Sequence, residues 1–268
     1  MNSCDYARYR MFSEYSYKSS GYKKLNYIIS AINLVLPGKK CKILEIGCGN
    51  GNISTVLASY GHEVLGIDLS EDCIEYANYR KSTCSLRNVV FKVADAEHVQ
   101  NTGELFDVVI CSEVLEHLYA PESVLSAICN VLLQDGILIV TVPNGYGPFQ
   151  VSASLLELAS KSKYLVKMKR ARAPDQREQF SSICEQSKNT AVGSKHVQFF
   201  TRKHLCELFK KAGFRLISSG CSDFIAGAYP FNIVIRKSRL LCGIDFAVAD
   251  LFPASLASGW YFTLKKAP

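Results

Sequence analysis

The chain has 268 residues, 48% of them apolar and 21% charged, and a formal net charge of +7. It is long enough to bury a sizeable core as one large domain or a domain with insertions. No run of about 18 apolar residues occurs, so no transmembrane helix is expected, and the N-terminus, with Asp5, Arg8 and Arg10 among tyrosines, reads as lacking the apolar core of a signal peptide. The 11 cysteines are odd in number, scattered and without a C-x-x-C pair, a pattern that predicts free buried thiols in a reducing cytoplasm.

Leu25, Ile28, Ile29, Ile32 and Val35 fall at helical spacing, and Pro37-Gly38 ends that helix. Six tyrosines, Tyr6 to Tyr27, precede or enter it, and residues 1–37 are expected to form a helical cap. Strands and helices then alternate. Strand Cys41–Ile46 leads through a glycine loop to helix Asn52–Tyr60, closed by Gly61, and strand Glu63–Asp68 leads to a helix from Glu71. Ser70 suits the N-cap of that helix, and Glu71-Asp72 suit its positive end. Strand Val89–Ala94 precedes a loop with Asp95-Ala96-Glu97. Strand Phe106–Ser112 runs into Glu113–Leu118, a helix is expected from Pro121 to Gln134, and Gly136–Val142 forms a continuous apolar strand. Runs this apolar, alternating with helices, argue for a parallel sheet covered on both faces.

Residues 146–195 break the rhythm. Leu155, Leu156, Leu158 and Ala159 suggest a helix, and seven cations between Lys161 and Arg177 follow with only Asp175 opposing. The stretch is long for a connection and reads as an insertion. Rhythm returns with helix Thr201–Ala212, stopped by Gly213, and strand Phe214–Ser219. An apolar insertion at 224–257 then precedes a last strand, Trp260–Lys265.

The chemistry concentrates at the ends of the predicted strands. Gly47-Cys48-Gly49-Asn50-Gly51 sits between a strand and a helix N-terminus, a cradle for a ligand. It departs from the G-x-G-x-x-G of dinucleotide sites, because Asn52 stands where the third glycine would fall, and no P-loop pattern is present. With Glu45 on the strand and Asp68 closing the next, residues 38–145 resemble the class I S-adenosylmethionine (SAM)-dependent methyltransferases, and residues 196–265 resemble them more loosely. The resemblance implies an α/β, Rossmann-like, seven-stranded and mostly parallel sheet with its last strand antiparallel. It implies one domain over 1–268, comprising the cap 1–37, a SAM-binding half 38–145 and substrate-side insertions at 146–195 and 224–257. It further implies that Glu45, Gly47, Cys48, Gly49 and Gly51 meet the methionine end of SAM, that Asp68 and Leu69 meet ribose and adenine, that Asp95 and Ala96 meet the adenine, and that Ser112 joins the cofactor contacts.

Glu113, Glu116 and His117 follow the fourth strand. At i, i+3 and i+4 one helical turn would place all three on one face. Two carboxylates and an imidazole suit a divalent cation such as Mg, Mn or Zn; alternatively, His117 serves as a general base toward the methyl acceptor, with Glu116 beside it. His196, just before the helix at Thr201, is expected to return to the rim of the same pocket. The set Glu113, Glu116, His117 and His196 resembles that of two methyltransferase groups, the ubiquinone-biosynthesis O-methyltransferases and the small-RNA 2′-O-methyltransferases; Thr141-Val142-Pro143-Asn144 also resembles the Thr-Pro-Asn segment of the latter. The favoured reading is methyl transfer from SAM to a hydroxyl oxygen of a small molecule, apolar or anionic. One alternative is a metal-dependent RNA 2′-O-methyltransferase that uses the basic stretch 161–177 for phosphates. Another is a SAM-binding protein without turnover.

Overall fold

The computed structural model describes residues 20–147, 197–224, 226, 234, 235 and 237–268. The expectations for residues 1–19, for the basic stretch 161–177 and for His196 lie outside the described residues, as does much of both insertions.

Seven strands form one sheet: β1 (Lys42–Ile46), β2 (Glu63–Asp68), β3 (Val89–Val93), β4 (Phe106–Ser112), β5 (Leu132–Pro143), β6 (Phe214–Cys221) and β7 (Gly259–Lys266). Their order is β3-β2-β1-β4-β5-β7-β6. The pairs from β3 through β5 are parallel, and β7 runs antiparallel to both β5 and β6. This is the expected Rossmann-like sheet. Strand order reverses between β1 and β4, which opens a crevice at the carboxyl edge.

The central strands are apolar on both faces, so helices must cover both. Helices α1 (Ser20–Val35), α2 (Asn52–Ser59) and α3 (Glu71–Thr83) cover one side. There Leu25, Ile28 and Ile32 of α1 and Val56 and Leu57 of α2 bury against Ile43, Val108 and Ile139. Helices α4 (Pro121–Val131) and α5 (Arg202–Lys211) cover the other, where Leu125, Ile128, Leu205 and Phe209 meet Leu44, Val109 and Leu138. Each such side chain contributes about 1.5–3 kcal/mol. A further helix, α6 (Arg239–Leu251), stands in the second insertion. Among the described residues no helix is long and apolar enough to cross a membrane.

Two boundaries differ from expectation. Helix α4 stops at Val131 rather than Gln134, because Leu132 turns extended, pairs with Phe106 and is buried. The polar Gln134-Asp135-Gly136 then sits in a register shift inside β5, between the Phe106 and Val108 pairings. Burial of Leu132 outweighs three residues of helix propensity. The loop expected at Asp95-Ala96-Glu97 tightens into a 3-10 segment, Ala96–Thr102, with Asp95 as its N-cap.

Asn144, just past β5, holds the carboxyl edge together. It is buried, its side-chain amide donates to Ser255 O and Ala257 O at 2.8 Å each, and its Oδ1 accepts from Tyr146 N–H at 3.1 Å. Asn144→Ala removes three hydrogen bonds at once and should lower stability by about 1–3 kcal/mol. Urea unfolding would show this as a lower midpoint at unchanged slope; an unchanged midpoint contradicts the assignment.

Candidate functional site: the carboxyl edge of β1, β2 and β4

The glycine loop is required by its surroundings. Gly47, Gly49 and Gly51 have φ of 66°, 49° and 70°, a region that favours glycine. A Cβ on Gly47 would lie 2.4 Å from Val114 Cγ2, and one on Gly51 would lie 2.6 Å from the Phe91 ring. At Gly49 a Cβ would meet nothing within 4 Å. Two glycines thus pack the loop against its neighbours, and the middle one faces open space. Asn50 Oδ1 in the same loop is buried without a hydrogen-bond partner. Gly51 opens α2, whose free N–H groups and dipole suit a negative group.

Asp68, at the end of β2, locks this loop. One carboxylate oxygen accepts the Gly49 N–H at 2.8 Å and the other the Ser70 N–H at 2.9 Å. Ser70 in turn caps α3 by accepting the Cys73 N–H. Leu69 beside it is 67% exposed, free to lie against a flat ring. Asp95, on the neighbouring strand end, accepts the Glu97 N–H at 2.9 Å, and Ala96 is buried. The Cys48 thiol is buried, and burial raises its pKa far above the ordinary value, so it packs rather than reacts.

Glu45 is buried under α2, where the Ser54 hydroxyl donates to it. Burial pushes its carboxyl up to about 7, against the pull of Ser54 and of Lys24. Lys24 belongs to α1. Its Nζ lies 3.7 Å from Glu113 Oε1, so α1 reaches over the carboxyl edge. Neither spacing nor motif singled out Lys24. The available signal was Lys23-Lys24 interrupting an apolar helix, and Lys23 proves structural: it donates to Ser222 O and Phe246 O and pairs with Asp250 at 2.9 Å.

The end of β4 corrects the expected helical turn. Glu113 has φ 57° and is not helical; the 3-10 turn begins only at Leu115 and covers Leu115–His117. Glu113, Glu116 and His117 therefore do not share a helix face. Glu113 is tied back to β5: its N–H donates to Thr141 O, and the Thr141 hydroxyl donates to its Oε1, both at 2.9 Å. Ser112 meets the same Thr141 hydroxyl at 2.9 Å. Glu116 is 1% exposed, and neither carboxylate oxygen has a hydrogen-bond partner. Burial, and then repulsion from Glu113, pushes its carboxyl up to about 8. His117 Nε2 lies 3.9 Å from Glu116 Oε1 and its side chain is partly exposed. His196 lies outside the described residues, but its chain neighbours Val197 and Gln198 donate to Glu116 O at 2.9 and 3.1 Å.

The metal expectation does not gain support. Among the described residues no group of three His, Cys, Asp or Glu side chains is placed to hold an ion. Glu113 is engaged by Thr141 and Lys24. Of the expected set, the three described members Glu113, Glu116 and His117 form no such group.

A glycine loop and an acidic strand end at the switch point of a sheet of this order are now joined by a sequence match. Residues 37–213 match the methyltransferase domain family. The chain belongs to that family. It is 33% identical over 146 residues to the ubiquinone biosynthesis O-methyltransferase of Shewanella sp. (strain ANA-3), covering 54% of this chain and 58% of that protein. It is 37% identical over 114 residues to the human mitochondrial ubiquinone biosynthesis O-methyltransferase, covering 40% of this chain and 31% of that protein. The matches thus span less than two thirds of those relatives. Among solved structures, the magnesium protoporphyrin IX methyltransferase of Synechocystis PCC 6803 with bound SAH shares the fold at TM-score 0.56 and 14% identity, over 92% of this chain and 84% of that one. A SAM-dependent methyltransferase from Clostridium acetobutylicum does so at 0.58 and 11% identity, over 91% of each chain.

The raised Glu116 carboxyl has a consequence for stability. Its ordinary value is 4.5 and its folded value about 8, so the folded state holds the proton more tightly than the unfolded one. That contribution is complete below the ordinary value and is lost as pH rises through about 8. Glu116→Gln keeps the neutral shape and should gain roughly 1–3 kcal/mol over the natural chain between about pH 5 and about pH 9. Thermal unfolding across that range measures the difference; parallel profiles would refute the buried acid.

Proposed function

We propose that this chain transfers the methyl group of SAM to a hydroxyl oxygen of a small-molecule acceptor. The observation that carries the reading is the Gly47–Gly51 loop locked by Asp68 beneath an open space at Gly49, within a methyltransferase-family chain. The ubiquinone biosynthesis relatives favour an O-acceptor.

The residues present fit SAM. The loop N–H groups and the start of α2 would receive the carboxylate of the methionine end, with Lys24 as a counter-charge, and Glu45 and Gly47 would border its amine. Asp68 retains lone pairs for both ribose hydroxyls after accepting two backbone N–H groups. Leu69 and Ala96 would enclose the adenine, with Asp95 at its edge and Ser112 beneath. When bound, SAM supplies an electrophilic methyl on a sulfonium. The protein's part is then alignment, worth up to about 7–11 kcal/mol, and removal of one proton. His117, partly exposed beside the buried Glu116, would take the acceptor hydroxyl proton as the oxygen–carbon bond forms. Glu116, neutral or charged according to pH, would orient the imidazole. In this reading the cap helix and the insertions 146–195 and 224–257 border the acceptor. The many cysteines, scattered and without a C-x-x-C pair, favour a reducing compartment such as the cytoplasm.

The test uses methyl-labelled SAM with a panel of hydroxyl acceptors, simple catechols first, together with calorimetric SAM binding. Asp68→Ala should weaken SAM binding about 10–100-fold, because it loses both the ribose acceptor and the lock on the loop. His117→Ala should leave SAM affinity intact and slow transfer about 10²–10⁴-fold. SAM binding without product from any hydroxyl acceptor would replace this reading with a non-catalytic one. A native transfer rate in His117→Ala would remove the general base from it.

A further inference from the structure

The sheet opens at its amino edge. Strand β5 pairs with β7 only from Leu138 onward, whereas β6 stays paired with β7 as far as Phe214 and Lys266. Before Leu138, β5 pairs with β4 alone, across the register shift at Gln134-Asp135-Gly136. The gap between the start of β5 and the end of β7 is a cavity of about 450 Å³, lined by Gln134, Asp135, Arg215, Lys265, Lys266 and Pro268. Small-molecule sites have volumes of about 300–1,000 Å³. This cavity lies at the opposite end of the strands from the Gly47–Gly51 loop.

Its charges are arranged at a cost. Arg215 and Lys265 are direct cross-strand partners in the antiparallel pair β6–β7. Such partners hold their Cβ atoms about 4.5–5.5 Å apart on one face, and like charges there are destabilising. Lys266 follows on the other face, so cations reach the cavity from both sides of the sheet. Lys265 and Lys266 are half-buried. Among the described residues none of these three side chains has an ion pair or a side-chain hydrogen bond. Asp135 is the one acidic side chain of the described lining. Withdrawing a charge from water without a partner costs free energy, and an anion in the cavity would relieve both that cost and the cross-strand repulsion.

The number and type of the cations set the class of ligand. Three positive charges exceed what one carboxylate neutralises and suit a di- or triphosphate. The Arg215 guanidinium offers a planar fork to two phosphate oxygens, and the lysines offer movable point charges. A nucleic-acid strand needs a groove that tracks successive phosphates, whereas these cations surround one cavity. We propose that the cavity between β5 and β7 binds a small anion carrying a di- or triphosphate group. The site stands independently of the methyl-transfer reading, because the length of the sheet separates it from the carboxyl edge and its binding is measured without turnover.

The test is calorimetric titration of the full chain at low ionic strength, with inorganic pyrophosphate as the probe and ADP beside it, each with and without SAM. One pyrophosphate should bind per chain, with an affinity that SAM leaves unchanged and that falls as salt rises. Arg215→Gln and Lys265→Gln should each weaken it about tenfold or more. Both variants should melt at or above the temperature of the natural chain, since each relieves the cross-strand repulsion. Equal affinity for pyrophosphate and ADP would assign recognition to the phosphates alone, and tighter ADP binding would add the nucleoside to the ligand. The proposal is overturned if pyrophosphate does not bind or if both variants bind it as tightly as the natural chain. It is also overturned if SAM displaces pyrophosphate, which would place the anion at the start of α2, or if a short single-stranded RNA binds the same cations more tightly than either probe.

Discussion

The Asp68 carboxylate is the interaction on which the site depends. It is a buried acid that accepts one N–H from the glycine loop and one from the turn that starts α3. Bonds of this kind, neutral N–H to a charged oxygen, are worth about 1.5–3 kcal/mol each. They join the end of β1 to the end of β2 beyond the last sheet pairing, whereas the sheet itself joins those strands only along their length. Gly49 must keep a positive φ to present its N–H there, and Gly47 and Gly51 must lack side chains to let Val114 and Phe91 close behind it. The loop glycines, Val114 after β4 and Phe91 on β3 are therefore parts of one arrangement. A change at Phe91, distant in sequence, would be felt at the ligand.

The end of β4 follows a different logic. Glu113 occupies a backbone region that costs a non-glycine residue of order 1–3 kcal/mol. Two hydrogen bonds with Thr141, at about 1 kcal/mol each, offset much of that. The Lys24 pair at 3.7 Å adds a contribution that its partly exposed partners keep small. The strained residue re-aims the chain so that Glu116 is driven inward and its carbonyl receives the chain at Val197 and Gln198. A buried carboxyl without partners is costly as an anion, which is why it holds its proton near neutrality. The protein thus places a neutral-leaning acid beside an imidazole at the strand end that faces the crevice.

Much of this was legible in the residues, and the exceptions share a cause. The strands were legible because continuous apolar runs such as Gly136–Val142 can only be buried on both faces, and the Gly47–Gly51 loop because each glycine is needed locally. Asp68 was legible as an acid at a strand end, but its bonds to Gly49 and Ser70 were not, since they depend on the parallel register of β1 and β2. The i, i+3, i+4 spacing of Glu113, Glu116 and His117 predicts one helix face only where every position takes a helical φ. The return of Glu113 to Thr141, decided by the pairing of Ser112 with Thr141, breaks that assumption. Lys24 was invisible for the same reason. Its role depends on where α1 lands on the sheet, and no local pattern carries that.

Helix α6 shows how the same pattern can carry opposite meanings. Its apolar residues read in sequence as part of a substrate-side insertion, although an apolar helical stripe is ordinarily a buried one. Which face turns inward is set instead by polar anchors: Asp245 needs the Phe224 N–H, and Asp250 needs Lys23 and the Cys221 N–H. Those contacts pin the polar side of the helix to the end of β6 and to α1, and the apolar side is left facing out. Removing Lys23 would therefore do more than delete an ion pair at the surface. It would release the constraint that keeps Leu240, Ile244 and Leu251 in water, and the helix would be free to roll them toward the protein. Exposure of that stripe is a property of the anchors, and the composition of the helix alone does not dictate it.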